Sequence, residues 1–188
     1  MTDSKGLTAR TLGEFAELLA ARVPVPGSGC AAAAIGALGA ALASMALRVG
    51  RGEDSAAVVL LERLRAELLL AVEADARAYG DFRATQASGG DLAAAHGASI
   101  EVPSGIARAS LAALETLRQS VHGVKPALRA ETLTAAHALL AAVEGASFTA
   151  LANAPAPETR AELETLCARA RTSAFELVNH VHAPTPCA

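Results

Sequence analysis

Three observations predict an all-α fold, a single-domain helical bundle of five to seven helices with a buried Ala/Gly-rich helix. Alanine is abundant and β-branched residues are few, with no Trp, one Tyr and four Phe, so composition favours helix and an aliphatic core. Apolar residues recur at three- and four-residue spacing, and no stretch alternates as a strand does. Gly and Pro gather in short connectors between long uninterrupted segments, with no interdomain linker or internal repeat. A chain of 188 residues, 52% hydrophobic, is long enough for one domain, residues 1–188, with a sizeable core.

Helix one is expected from about Thr11 to Ala21, with Leu12, Phe15, Leu18 and Leu19 on its apolar face. The stretch Val23–Leu47 organises the rest of the chain. Pro24 and Pro26 stiffen the approach, Gly27 and Gly29 open a turn, and Ser28 reads as the N-cap of an Ala/Gly helix. Ile35, Leu38, Leu42, Met45 and Val49 form one stripe of that helix, while Gly36, Ala40 and Ala43 leave another side bare enough for close packing. The segment carries no charge and is long enough to cross a membrane, yet weakly apolar Ala and Gly and two opening prolines favour a fully buried soluble helix. Its end is expected near Gly50-Arg51-Gly52.

Glu53-Asp54-Ser55 starts a long helix that suits the dipole. Leu61, Leu64, Leu68, Val72, Asp75, Tyr79 and Phe82 share one of its stripes, and Gly89-Gly90 ends it. A further helical region runs from Asp91 to about His122, with a kink or break expected near Ile100–Val102 ahead of Pro103. After the connector Gly123-Val-Lys-Pro, a helix is expected from about Ala127 or Glu131 to Ala152. The last helix is expected from about Pro157 to Val181, followed by a frayed tail.

Charge and cysteines narrow the setting. A net charge of −3 gives no electrostatic reason for a nucleic-acid or anionic-membrane partner. Cys30, Cys167 and Cys187 are odd in number and far apart, which disfavours a disulfide framework or a zinc site and fits a reducing cytoplasm. The N-terminus lacks the apolar core of an export signal.

Among ionisable residues Asp75 is the most informative, because the apolar stripe turns it toward the core or a cleft. It reads either as a cleft acid or base, or as a buried acid held by an arginine or a helix N-terminus. Asp81 follows Arg77 by one turn and reads as half of a solvated pair. His137 and Glu144 share a face with Leu133, Leu140 and Leu151, which suits a satisfied core histidine. His180-Val-His182 points its imidazoles to different sides and makes a poor metal pair. Lys125 is a loop lysine, either simply solvated or placed to meet an anionic substrate tail. No Walker loop, nucleophile elbow or Rossmann glycine pattern is present.

In order along the chain, Phe15–Leu19, Pro24, Pro26, Gly27, Gly29, the Ala31–Ala34 run and Met45 resemble the opening of a known family. Asp75, Ala76, Ala78 and Tyr79 match its Asp-Ala-x-Ala-Phe pattern, Val102-Pro103 matches a Val-Pro, and Gly145, Ala146 and Asn153 match its Gly-Ala…Asn segment. The chain thus resembles the C-terminal cyclodeaminase domain of formiminotransferase-cyclodeaminase and the free-standing cyclodeaminase/methenyltetrahydrofolate cyclohydrolase family. It departs from the pattern at four places. Ser28 stands at the middle Gly of the turn, Ala130-Glu131 at a Ser-Asp pair, Thr149 at an Asn, and Gln86-Ala-Ser-Gly at a Pro-Lys.

The resemblance implies folate one-carbon chemistry without metal or added cofactor, a tetrahydrofolate derivative being the substrate. It further implies a homodimer. Asp75 would be the catalytic carboxylate and Glu131 the second candidate. Pro26, Gly27, Ser28 and Gly29 would cradle the substrate, Tyr79 would line it, Asn153 would meet the pterin, and Lys125 or Arg48 the glutamate tail. Either 5,10-methenyltetrahydrofolate is hydrolysed or 5-formiminotetrahydrofolate loses ammonia. Two alternatives stand beside this reading: a diverged enzyme recruited to another substrate in specialised metabolism, and a non-catalytic ligand-binding bundle.

Overall fold

The computed structural model describes residues 5–53, 55–90 and 92–182. Asp54 and Asp91 at two expected helix starts, and the tail with Cys187, lie outside the described residues. Six α-helices make up the fold: α1 (Leu12–Ala20), α2 (Ser28–Arg51), α3 (Ala56–Ser88), α4 (Leu92–Ser120), α5 (Arg129–Ala152) and α6 (Pro157–His182). Short 3-10 turns occupy Leu7–Ala9, Val121–Gly123 and Pro126–Leu128, and no strand occurs among the described residues.

Local signals place most of the helix ends. Thr11 caps α1 in a full capping box with Glu14, whose carboxyl is held below the usual carboxylate range by the Thr11 amide and hydroxyl. Ser55 caps α3 through the Val58 N–H, and Gly89 ends it with φ of 69°. At α2 the expected cap moves by one residue. Gly27 is the N-cap, extended at φ −122° and ψ −158°, and Ser28 is the first helical residue. The Gly27 carbonyl accepts the first helical bond, from the Ala31 N–H at 3.0 Å.

The break expected before Pro103 does not occur, and α4 runs through the proline. Pro103 has no N–H for the Ser99 carbonyl one turn back. That carbonyl instead accepts from Asn153 Nδ2 at 2.8 Å. The Ser104 hydroxyl donates to the Ile100 carbonyl at 2.7 Å, which further satisfies the same turn. A side chain beyond the end of α5 therefore replaces the missing helical donor of α4.

Packing centres on α2, which lies against α3 and α5, while α4 closes over α3 and α5 and α6 covers α4 and α5. Here α2 is not buried all round, contrary to expectation. Ala33, Ala37, Ala40, Ala43 and Leu47 are buried, whereas Leu38 is 64% exposed and Ile35 and Val49 are exposed as well. A Cβ at Gly36 would stand 2.7 Å from Ser110 Oγ and 3.3 Å from both Ala142 Cβ and Leu68 Cδ1. The small residues are consumed by close approach inside the bundle, so the aliphatic stripe is what remains outside. Two segments, Ser28–Gly50 and Pro126–Ala152, are long and apolar enough to cross a membrane by length and composition, a test that packed core helices also pass.

Candidate active site

The N-terminus of α2, the middle of α3, the first half of α4 and the C-terminus of α5 meet around a cleft of about 360 Å³. Its walls are Pro24, Val25, Gly27, Ser28, Gly29, Asp75, Ala78, Tyr79, Ser99, Thr149, Ala152 and Asn153. That volume lies within the usual range for small-molecule sites. Among the described residues Asp75 brings the one carboxyl group to these walls, and neither Lys nor Arg lines them.

Asp75 is 8% exposed and sits over the first turn of α2. Gly29 makes that approach possible, since a Cβ there would overlap the Asp75 carboxyl group. The Cys30 thiol lies 3.3 Å from Asp75 Oδ2 and 3.4 Å from the Val72 carbonyl, and the Cys30 backbone N–H also faces the carboxylate. Asp75 therefore caps α2 from another helix, supplying the acceptor that Gly27 lacks. Burial pushes its carboxyl above the usual carboxylate value, against the smaller opposing pull of its Cys30 hydrogen bonds. The Cys30 thiol is pushed up to about 12, mainly by burial, so it is a neutral neighbour and not a nucleophile. Of the two readings of Asp75, the arginine-held acid finds no arginine among the described residues; the acid faces both a helix N-terminus and a cleft.

The opposite wall is set by Asn153. Its amide holds the Ser99 carbonyl, and its own backbone carbonyl lies 2.8 Å from His96 Nε2. The His96 ring in turn rests 5.8 Å, centroid to centroid, from that of Phe82. Between the walls, Thr149 Oγ1 lies 2.8 Å from Ser28 Oγ and 2.9 Å from the Gly145 carbonyl.

Of the residues singled out from the sequence, Gly27, Ser28, Gly29, Asp75, Tyr79 and Asn153 line this cleft, and Pro26 is buried beside it at the cis Val25–Pro26 peptide. Three lie elsewhere. Glu131 stands near the far end of α5, roughly 27 Å from Thr149 at the helical rise. Arg48 lies about as far along α2 from Ser28 and pairs with Glu53 at 2.6 Å and Glu62 at 3.4 Å. Lys125 lines a separate recess of about 170 Å³ with His122, Arg129 and His180. Sequence reasoning missed Cys30, Ser99 and Thr149 as residues of the site. Thr149 is marked in the sequence only as standing at a family Asn, and Cys30 and Ser99 carry no signal beyond polarity on helix faces that turn out to meet.

The profile of the formiminotransferase-cyclodeaminase family matches residues 11–172. The chain belongs to that family. The crystal structure of formiminotetrahydrofolate cyclodeaminase from Thermotoga maritima superposes with a TM-score of 0.76 at 23% identity, covering 92% of this chain and 93% of that one. It shares the helical fold of this chain. No curated protein matches the chain. Membership makes this a cyclodeaminase-like, folate-related enzyme.

Proposed function

We propose that the cleft acts on a tetrahydrofolate derivative whose reacting carbon is part of an amidinium. The observation that carries this reading is a buried carboxylate with a raised pKa in a cleft lined by no cationic side chain among the described residues. Such an acid lacks a counter-charge that a bound amidinium supplies. Family membership supports the substrate class.

In this reading N10 of the 5-formimino compound attacks the formimino carbon, and ionised Asp75 takes the proton that N10 loses. A neutral tetrahedral carbon results, bound to N5, N10 and an amino group. Asp75 then returns the proton to the amino group, ammonia leaves, and the 5,10-methenyl cation remains with Asp75 ionised again. The same carboxylate would assist water adding to the methenyl carbon in the hydrolytic direction. Asn153 and Tyr79 would position the ring system, and the Gly27–Gly29 turn would carry it on backbone. Glu131, Arg48 and Lys125 have no part in this cleft.

The test is spectroscopic. Purified protein is mixed with 5-formiminotetrahydrofolate, and separately with 5,10-methenyltetrahydrofolate, while the methenyl absorbance is followed. Acceleration of its appearance or decay over the spontaneous rate is expected, and no acceleration of either overturns the reading.

We also propose a homodimer, formed through the aliphatic stripe of α2 and not through its small-residue face. The neighbouring α1 is a capped amphipathic helix with no buried residue, and its Leu12 is 77% exposed. With Leu38 and Leu69 it borders an apolar groove. A second copy of the same surface would cover both elements at once, although Arg10 and Arg65 also line the groove.

A further inference from the structure

We propose that the Ser28 hydroxyl is a fixed hydrogen-bond acceptor for a substrate N–H, and that it biases the cleft toward the formimino over the methenyl substrate. The inference rests on the folate reading of the same cleft and deepens it.

Proton counting sets the direction of the bonds around Ser28. The Thr149 hydroxyl has one proton and two neighbours in range, Ser28 Oγ at 2.8 Å and the Gly145 carbonyl at 2.9 Å. A carbonyl only accepts, so the contact with Gly145 forms only if Thr149 donates to it. The same bond to the carbonyl one turn back is made by Thr116, Thr132, Thr134, Thr165 and Thr172 in this chain. It is the habitual bond of a helical threonine. With its proton committed, Thr149 Oγ1 can only accept from Ser28, and Ser28 must donate. The relay then runs from Ser28 through Thr149 to the carbonyl. At its open end Ser28 Oγ keeps its lone pairs and has no proton left for the cleft.

Both hydroxyls lie on the walls of the cleft that also holds Asp75. A group bound there meets an acceptor at Ser28 and a carboxylate at Asp75. The formimino amidinium carries N–H donors on its terminal nitrogen. The methenyl amidinium carries none, because N5 and N10 are both fully substituted. Only the first can use the acceptor end of the relay.

The experiment compares kcat/KM for the two folates in wild type, Ser28→Ala, Thr149→Val and Thr149→Ser, with thermal unfolding of each as a folding control. Ser28→Ala is expected to lower the formimino-to-methenyl ratio about ten-fold, the effect of one hydrogen bond to a charged group. Thr149→Val, which frees the Ser28 hydroxyl to reorient but keeps its oxygen, is expected to lower it less. Thr149→Ser restores the relay and should preserve the ratio. Equal losses on both substrates, or an unchanged ratio in Ser28→Ala, overturn the inference while leaving the folate reading intact. If the wild type turns over neither folate, the folate reading fails and binding decides the rest. Formamidinium chloride, titrated by NMR into wild type and Ser28→Ala, should then bind about ten-fold more weakly to the variant. Equal affinity, or no binding to the wild type, overturns the acceptor role.

Discussion

Asp75 owes its properties to what surrounds it: the Cys30 thiol and amide, a glycine that clears its path, and no paired cation among the described residues. Because burial raises its folded pKa above the ordinary value of 3.8, the folded state binds this proton more tightly than the unfolded chain does. The stabilising contribution is therefore complete below the unfolded value and is lost as pH rises through the folded pKa. Above its folded pKa, ionised Asp75 costs stability. Asp75→Asn keeps an acceptor for the Cys30 N–H and removes the charge, so its stability at pH 7 should equal or exceed that of wild type. The advantage should grow from acid to neutral pH in thermal unfolding scans. The loss of ~3–5 kcal/mol that arises when a buried cation is left unpaired has no source here. Turnover should fall by roughly 10²–10⁴-fold, the range for a positioned acid–base group. A destabilised variant whose folded fraction keeps full activity would end the catalytic role of Asp75. This residue was legible in the sequence because it interrupts a stripe of Leu68, Val72 and Tyr79. Cys30 and Thr149 were not, since their roles arise only from contacts between distant segments.

At the scale of elements, apolar spacing marked the helices of the described residues, while the cap and burial of α2 and the continuity of α4 were misjudged. Proline disrupts a helix by removing a donor, and a local reading has no means of supplying one from elsewhere. Asn153 supplies it from beyond the end of α5. The same bond fixes one wall of the cleft, so the apparent defect in α4 becomes the point that ties two helices together at the site. Asn153→Ala should leave the Ser99 carbonyl without its partner and cost about 1–3 kcal/mol in denaturant unfolding. Pro103→Ala restores the N–H that serves this carbonyl within the helix. In that background Asn153→Ala should cost less by about 1 kcal/mol, a coupling that a double-mutant cycle measures directly. Identical costs in the two backgrounds would show that Asn153 does not substitute for the missing helical donor.

Across the whole molecule the bundle was readable, but the arrangement of its ends and faces was not. Glu131 and Arg48 are plausible site residues by charge alone, yet the rise of one long helix puts each at the opposite end from the cleft. The outward face of α2 was harder to foresee, because an Ala/Gly face and an aliphatic stripe can each be buried. The bundle buries the small face, where α3 and α5 approach most closely, and leaves Ile35, Leu38 and Val49 exposed. This separates two substitutions only two residues apart. Gly36→Leu should destabilise the fold whatever its assembly, since even a Cβ there meets Ser110, Ala142 and Leu68; ~1–3 kcal/mol or more is expected from overpacking. Leu38→Glu should leave the isolated protomer intact, because position 38 is already 64% exposed. In a dimer closed over the stripe, the same change takes a carboxylate out of water in place of an apolar side chain, which costs more than the lost apolar contact. Light scattering at micromolar concentration should thus give a dimer for wild type and a monomer for Leu38→Glu, with unchanged helical circular dichroism. A monomeric wild type, or a Leu38→Glu variant that remains dimeric, would rule out this interface.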